Sequence, residues 1–467
     1  MKYLFVTFFI SLTCPAIFSQ NTMLHPVVDE RTELLSIVFR MAGSREYMNS
    51  DIKIYTSAID DYFKGYKNDP LIKFVRKITK RSGVSFDAVM SMAVHIELTN
   101  GTISLIKNIS STSLDSRWGN NSEKFVSLLN DFYRKSDFSR FFAEHKALYA
   151  LAEKRLSEVV KTIDMNWFES FYGKKPDVGY TLIISLSNGG CNYGPEVMYL
   201  DGREELYSII GSWETDSLGF PVYSNDISET IIHEFCHSFC DQLATSYYPE
   251  MKTVADRFFN LVQENMQRQA YINARSMLNE ILVRASVIEY FHAHQASQVK
   301  INNLLGAEQA SGFIWIDTLV GAFGKYEKLR KDYPTLEKYM PEIVKLQNSL
   351  SPEEQQKTAE ANRPQLISFS IGKNRLDVDP SIKELLLTFD RPMMTRPYGM
   401  NKGKCGDKCW PKITSVKWNP EKNNELIISW ELLPDHHYSM IFPARFMMDE
   451  HGFYMKETYY LDFKTKK

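Results

Sequence analysis

The chain predicts an α+β fold: a mainly helical region holding a short sheet, followed by an all-β sandwich. Three observations predict it. Apolar residues recur at helical spacing through most of the region before residue 350. A β-branched run, Gly179 to Ser187, interrupts them. Beyond residue 365 the apolar period falls to two, with turn residues between short runs. A length of 467 residues exceeds one ordinary core, so more than one domain is expected.

The N-terminus reads as an address. Lys2 precedes the apolar run Tyr3 to Ile10, and Pro15-Ala16-Ile17-Phe18-Ser19 follows. This predicts a signal peptide over residues 1–19, cut after Ser19. A lipid anchor at Cys14 is the weaker reading, because Ser11-Leu12-Thr13 is a poor lipobox. No later segment reaches about 18 uninterrupted apolar residues, so no transmembrane segment is expected. The mature protein is therefore expected outside the cytoplasm: secreted, periplasmic or at the cell surface.

Residues 27–170 form the expected helical N-terminal part. Leu34 to Met41 and Phe86 to Ala93 carry wide apolar stripes. Phe125, Leu128, Leu129 and Phe132 keep helical spacing, as do Leu151, Leu156, Val159 and Ile163. His95 and His145 stand alone and read as packed or surface histidines. In residues 171–348 the strand at 179–187 ends at the turn Asn188-Gly189-Gly190. Val197 to Leu200 and Leu206 to Gly211 are further short strands, and helix resumes from Asp226. Residues 349–364, poor in apolar side chains, read as a linker. Residues 365–467 hold six short strands, Leu366–Ile371, Leu385–Phe389, Ile413–Trp418, Leu426–Trp430, Tyr438–Phe442 and Tyr459–Phe463, which argue a β-sandwich.

Composition excludes some roles. Lys+Arg is 55 against Asp+Glu 57, so no basic excess exists to bind phosphate, and no nucleic-acid partner is expected. Five cysteines follow Cys14. Cys405 and Cys409 could close a small loop in an oxidising compartment. Cys236 and Cys240 read as small buried apolar residues, and Cys191 carries no expected chemistry.

The most informative residues are His233-Glu234-Phe235-Cys236-His237. Two histidines four apart on a helix project from one face, so their imidazoles can share one zinc ion. The glutamate beside the first can take a proton from water at that ion. Asp226, with Glu229 three residues on, predicts a capping box at the helix start. Ile231, Ile232, Phe235 and Phe239 supply its apolar stripe.

A zinc site needs a third ligand. No histidine follows within ten residues, so a carboxylate from a later helix is expected. Glu280 lies among Leu278, Ile281, Leu282, Val283 and Ala285, where an acid is costly unless paired or bound to metal. Arg284, one turn on, could hold its second oxygen. Glu289 on the same helix competes for the role. His292 and His294, two apart, face different sides. Asp435-His436-His437 reads as a solvated loop.

His233, Glu234, His237 and Glu280 in this order resemble the gluzincin group of zinc metallopeptidases. Residues from about 27 to 345 resemble, more narrowly, an uncharacterised Bacteroidetes domain-of-unknown-function family of predicted secreted peptidases. Carriers are Ser187-Asn188-Gly189-Gly190-Cys191-Asn192-Tyr193-Gly194, Ile232 to Phe239, Asn279 to Ala285 and Tyr326 to Thr335. The part from 365 to 467 resembles bacterial Ig-like domains of the S-layer-protein type, through Leu387-Thr388-Phe389-Asp390-Arg391-Pro392-Met393 and Leu461-Asp462-Phe463-Lys464-Thr465. Together these imply a zincin-like catalytic part and an Ig-like sandwich.

The implied function is a secreted zinc peptidase with Glu234 as general base and a peptide or protein as substrate. Tyr193, Tyr271, His292 and Arg284 are candidates to stabilise the transition state. The strand Thr181 to Leu186, leading into Gly189, Gly190 and Asn192, is the expected edge that pairs with substrate backbone. The competing class is a secreted binding or adhesion protein with a non-catalytic zincin-like domain, whose sandwich contacts a surface polymer or protein.

Overall fold

The computed structural model describes residues 24–173, 178–224, 226–371, 375–396 and 398–467. The expected signal peptide and Cys14 lie outside the described residues. The chain is mixed α and β, with helices through its first three quarters and a β-rich C-terminal region. Among the described residues, no helix is long and apolar enough to cross a membrane.

The first helix, Glu30–Ala42, starts where the Asp29 carboxylate accepts the Arg31 N–H and ends at Gly43, which has φ 87°. Its residues Leu34, Leu35, Ile37, Val38 and Phe39 are all buried, so it runs through the core. Glu33 on this helix is fully buried and accepts hydrogen bonds from Ser185 Oγ, Leu186 N–H and Ser187 Oγ at 3.0, 2.7 and 2.7 Å. One carboxylate thus pins the strand end that leads toward the site.

The sheet runs Val27–Val28, Val178–Ser185, Glu204–Gly211, Glu196–Met198. The first three strands are parallel, and Glu196–Met198 is antiparallel to its neighbour. This corrects the expected edge strand. Val178–Ser185 is paired on both sides, and its apolar run Leu182-Ile183-Ile184 is fully buried, as a strand inside a covered sheet requires. The edge nearest the site is instead the segment from Tyr193 to Met198.

A hairpin, Ile96–Thr99 with Thr102–Leu105, lies inside the region expected to be helical. Its turn, Asn100-Gly101, has φ of 51° and 74°, values that this dipeptide accepts readily.

Two helices carry the candidate site. Ile227–Leu261 is 35 residues long with Pro249 inside it. Ala274–Ala293 packs along it and starts where Asn273 accepts the Ser276 N–H at 2.9 Å. The expected capping box at Asp226 does not form: that side chain makes no cap bond, and Glu229 pairs with Lys300 instead. Residues 349–364, expected as a linker, contain the helix Pro352–Ala361, capped by Ser351.

All six strands expected after residue 365 are present, joined by the short strand Asn401–Lys402. They form one sheet of four strands and one of three, antiparallel throughout. The two sheets share one core, in which the Trp430 and Phe463 rings lie 5.4 Å apart. Cys405 and Cys409 are joined by a disulfide. His437 opens the strand His437–Phe442 rather than sitting in a loop.

Candidate metal centre

Helical spacing brings His233 and His237 to one face, and their Nε2 atoms stand 3.1 Å apart. The neighbouring helix delivers Glu280, with Oε1 3.4 Å from His233 Nε2 and Oε2 3.7 Å from His237 Nε2. Nitrogen and oxygen donors around one tetrahedral zinc are separated by roughly 3.4 Å, given bond lengths near 2.1 Å. The triangle of donors therefore fits such an ion, and all three ligand atoms lie within 4.8 Å of one another.

Two of the three donors are held from behind. His237 Nδ1–H donates to Asp241 Oδ1 at 3.0 Å, which aims Nε2 at the cluster. Glu280 Oε1 accepts from Arg284 Nε at 2.8 Å. Arg284 also donates to Glu308 and, at 3.3 Å, to Tyr271 Oη, and stacks over the Phe313 ring at 4.7 Å. Arg284 and Tyr271, read from the sequence as candidates to stabilise a transition state, lie behind Glu280 and act on that carboxylate. Asp241 and Glu308 were missed by the sequence reading. Asp241 continues the i, i+4 series of 233 and 237, a signal that could have found it.

The protonation pattern follows from burial and neighbours. Burial lowers the His233 pKa to about 3. Burial acts the same way on His237, but Asp241 and the nearby glutamates win and raise it to about 10. Without an ion, His237 is therefore cationic and donates from Nε2 to neutral His233. Burial alone would push Glu280 up, but the two imidazoles and the Arg284 guanidinium around it, with His237 and Arg284 the cationic ones, hold it down at about 2. Glu234 is buried at 7 % exposure, and burial raises it to about 7.

A cavity of about 350 Å³ opens beside Glu234 and His237. Its walls include Asn192, Tyr193, Gly194, Asp87, Asp115 and Asp241. Gly194 presses on the Glu234 backbone so closely that a Cβ would collide with the carbonyl oxygen. Asn192 Oδ1 accepts the Gly211 N–H at 3.0 Å and fixes the segment to the sheet.

The other expected residues are placed elsewhere. Tyr193 lines the cavity, but its hydroxyl is buried beside Tyr47 and Cys191. A Cβ on Gly189 would meet the backbone oxygens of Glu46 and Asn49, so the close neighbour there is the chain itself. The direction open beside Gly190 ends on Trp213. His292 is exposed and meets Glu289 at 3.3 Å, twelve residues beyond Glu280 and thus about 18 Å along the helix. That distance removes it from the site. Glu289 is buried and faces His292 and Glu327 rather than the histidine pair.

The centre is thus a two-histidine, one-glutamate cluster on paired helices, with a buried glutamate and a cavity beside it. The chain belongs to the family described as Domain of unknown function (DUF4932), whose model matches residues 24–346, more than half of its length. No curated protein and no solved structure gives a significant match.

Proposed function

We propose that the protein is a zinc-dependent peptidase of gluzincin type, with His233, His237 and Glu280 as ligands and Glu234 as general base. The observation that carries this is the fit of the three donor atoms to one tetrahedral ion beside an ionisable, buried Glu234. A zinc ion held there would polarise a carbonyl and make water acidic enough to attack it at neutral pH.

The chain's own groups supply the remainder. The Glu234 carboxylate, with its pKa near 7, accepts a proton from the attacking water and returns it to the leaving amine. Asp241 keeps His237 in its ligating tautomer, and Arg284 fixes the Glu280 carboxylate. Substrate backbone is aligned at Gly194. Met198 is already covered by Ser110 and Ser113, whereas Gly194 makes no hydrogen bond among the described residues and adjoins Glu234. An extended peptide can pair there. We read the two-sheet unit as an Ig-like appendage and the protein as secreted.

Metal analysis and cleavage of casein or a peptide library, with and without chelator, test the proposal. Glu234→Gln should keep the metal and lose hydrolysis by at least 100-fold. Stoichiometric zinc with no turnover of any peptide by the unmodified protein would instead favour the binding or adhesion reading.

A further inference from the structure

A second set of metal-type donors lies in the β-rich region, far in sequence from the first. Cys405, Cys409 and His437 bring two sulfurs and an imidazole together, all within 4.8 Å. The Cys405 and Cys409 Sγ atoms are 3.8 and 3.6 Å from the same atom, His437 Nδ1. Sulfur and nitrogen donors on one tetrahedral zinc are separated by about 3.6 Å, given Zn–S near 2.3 Å and Zn–N near 2.05 Å. The imidazole thus already stands at ligand separation from both sulfurs.

The framework around the cluster is fixed. The segment 403–409 is tied to His436 and Ser439, on either side of His437. His436 Nε2–H donates to the Lys408 carbonyl at 2.8 Å, and the Gly403 N–H donates to the Ser439 carbonyl at 3.1 Å. Asn401 and Lys402 pair with Ile441 and Met440 of the same strand. Gly403 sits so close to Ser439 that a side chain there would collide with it. Cys405 and His437 are exposed, so ions and reductants reach them directly.

We propose that Cys405, Cys409 and His437 form a redox-gated site for a thiophilic divalent ion such as zinc. In the oxidised state the two sulfurs bond to each other and the site is closed. A dithiol reductant opens it. Two electrons and two protons pass to the Cys405–Cys409 bond, which breaks into two thiols, while the reductant's own sulfurs join. The ion then displaces the two thiol protons and takes both thiolates and His437 Nδ1, with water as fourth ligand. The exposed, three-ligand arrangement leaves the ion exchangeable.

Cobalt(II) added to the full-length protein tests this. The protein is reduced with a dithiol and desalted under inert gas, then compared with the oxidised protein. Thiolate ligation gives a sulfur-to-cobalt charge-transfer absorption, which the histidine–glutamate centre cannot produce because it has no sulfur. The expected result is that absorption in the reduced protein alone, with one more equivalent of cobalt bound than in the oxidised protein. His437→Ala, at an exposed position, should weaken this binding at least tenfold with unchanged circular dichroism. Two results overturn the proposal: no sulfur band in reduced protein whose thiol count confirms reduction, or equal affinity in His437→Ala. Neither bears on peptide hydrolysis, which is measured separately.

Discussion

Asp241 lies one helical turn beyond His237 and accepts its Nδ1–H at 3.0 Å, while His237 Nε2 faces His233 Nε2 at 3.1 Å. A single carboxylate thereby decides which nitrogen of His237 is free to ligate. It also keeps that imidazole protonated when no ion is present.

Metal binding should therefore release a proton from His237. With its pKa near 10, the affinity for zinc should rise about tenfold per pH unit from pH 6 to 9 and flatten above. Competition titrations against a chromophoric chelator across that range measure the slope. A flat profile would contradict the assignment of His237 as a ligand.

Asp241→Asn removes both effects of that carboxylate. The plateau should begin at lower pH, and the affinity on the plateau should fall roughly 10- to 100-fold. Because the carboxylate that raises the His237 pKa also stabilises the metal-free fold below pH 10, the melting temperature of the metal-free protein should fall near neutral pH, by an amount limited by the half-exposed position of Asp241. An unchanged plateau affinity would show that His237 needs no orienting partner.

Gly194→Ala tests the contact between the edge segment and the motif helix. The added Cβ meets the Glu234 carbonyl, so either the edge or the helix must shift. Overpacking of this kind costs about 1–3 kcal/mol. Thermal unfolding should detect the loss. In the peptidase reading kcat should fall more than KM rises, because Glu234 itself is displaced.

Glu289 offers a stability test away from the centre. Burial and Glu327 raise its pKa to about 8, above an ordinary value near 4.5 in the unfolded chain. The folded state thus holds this proton more tightly. Its contribution is fully present below pH 4.5 and is lost as pH rises through 8. Glu289→Gln, which cannot ionise, should melt higher than the unmodified protein at pH 9 and show little difference at pH 4. The reverse order at pH 9 would mean that the charged carboxylate is the stabilising form.

The histidine pair and Glu234 were legible in the sequence because helical periodicity is a local property. Six C-terminal strands were legible for the same reason, since a period of two needs no partner to be seen. Glu280 came from a cost argument: an acid among apolar residues, with Arg284 one turn on, needed a partner. That reasoning says that a partner exists but not where. Only the packing of Ala274–Ala293 along Ile227–Leu261 places the carboxylate within 3.4 and 3.7 Å of the two imidazoles.

Strand order was illegible, because pairing is set by segments distant in the chain. Val178–Ser185 has an apolar run that suits an edge or an interior equally until Val27–Val28 is seen on its other side. His292 shared a helix with Glu280, and only the rise of that helix separates them. His437 reaches Cys405 and Cys409 only because a strand returns beside their turn. The sequence alone determined which groups sit on which local element, through periodicity and the cost of burial. The tertiary structure decided which elements meet, because that choice is made by the joint burial of surfaces that no single segment contains.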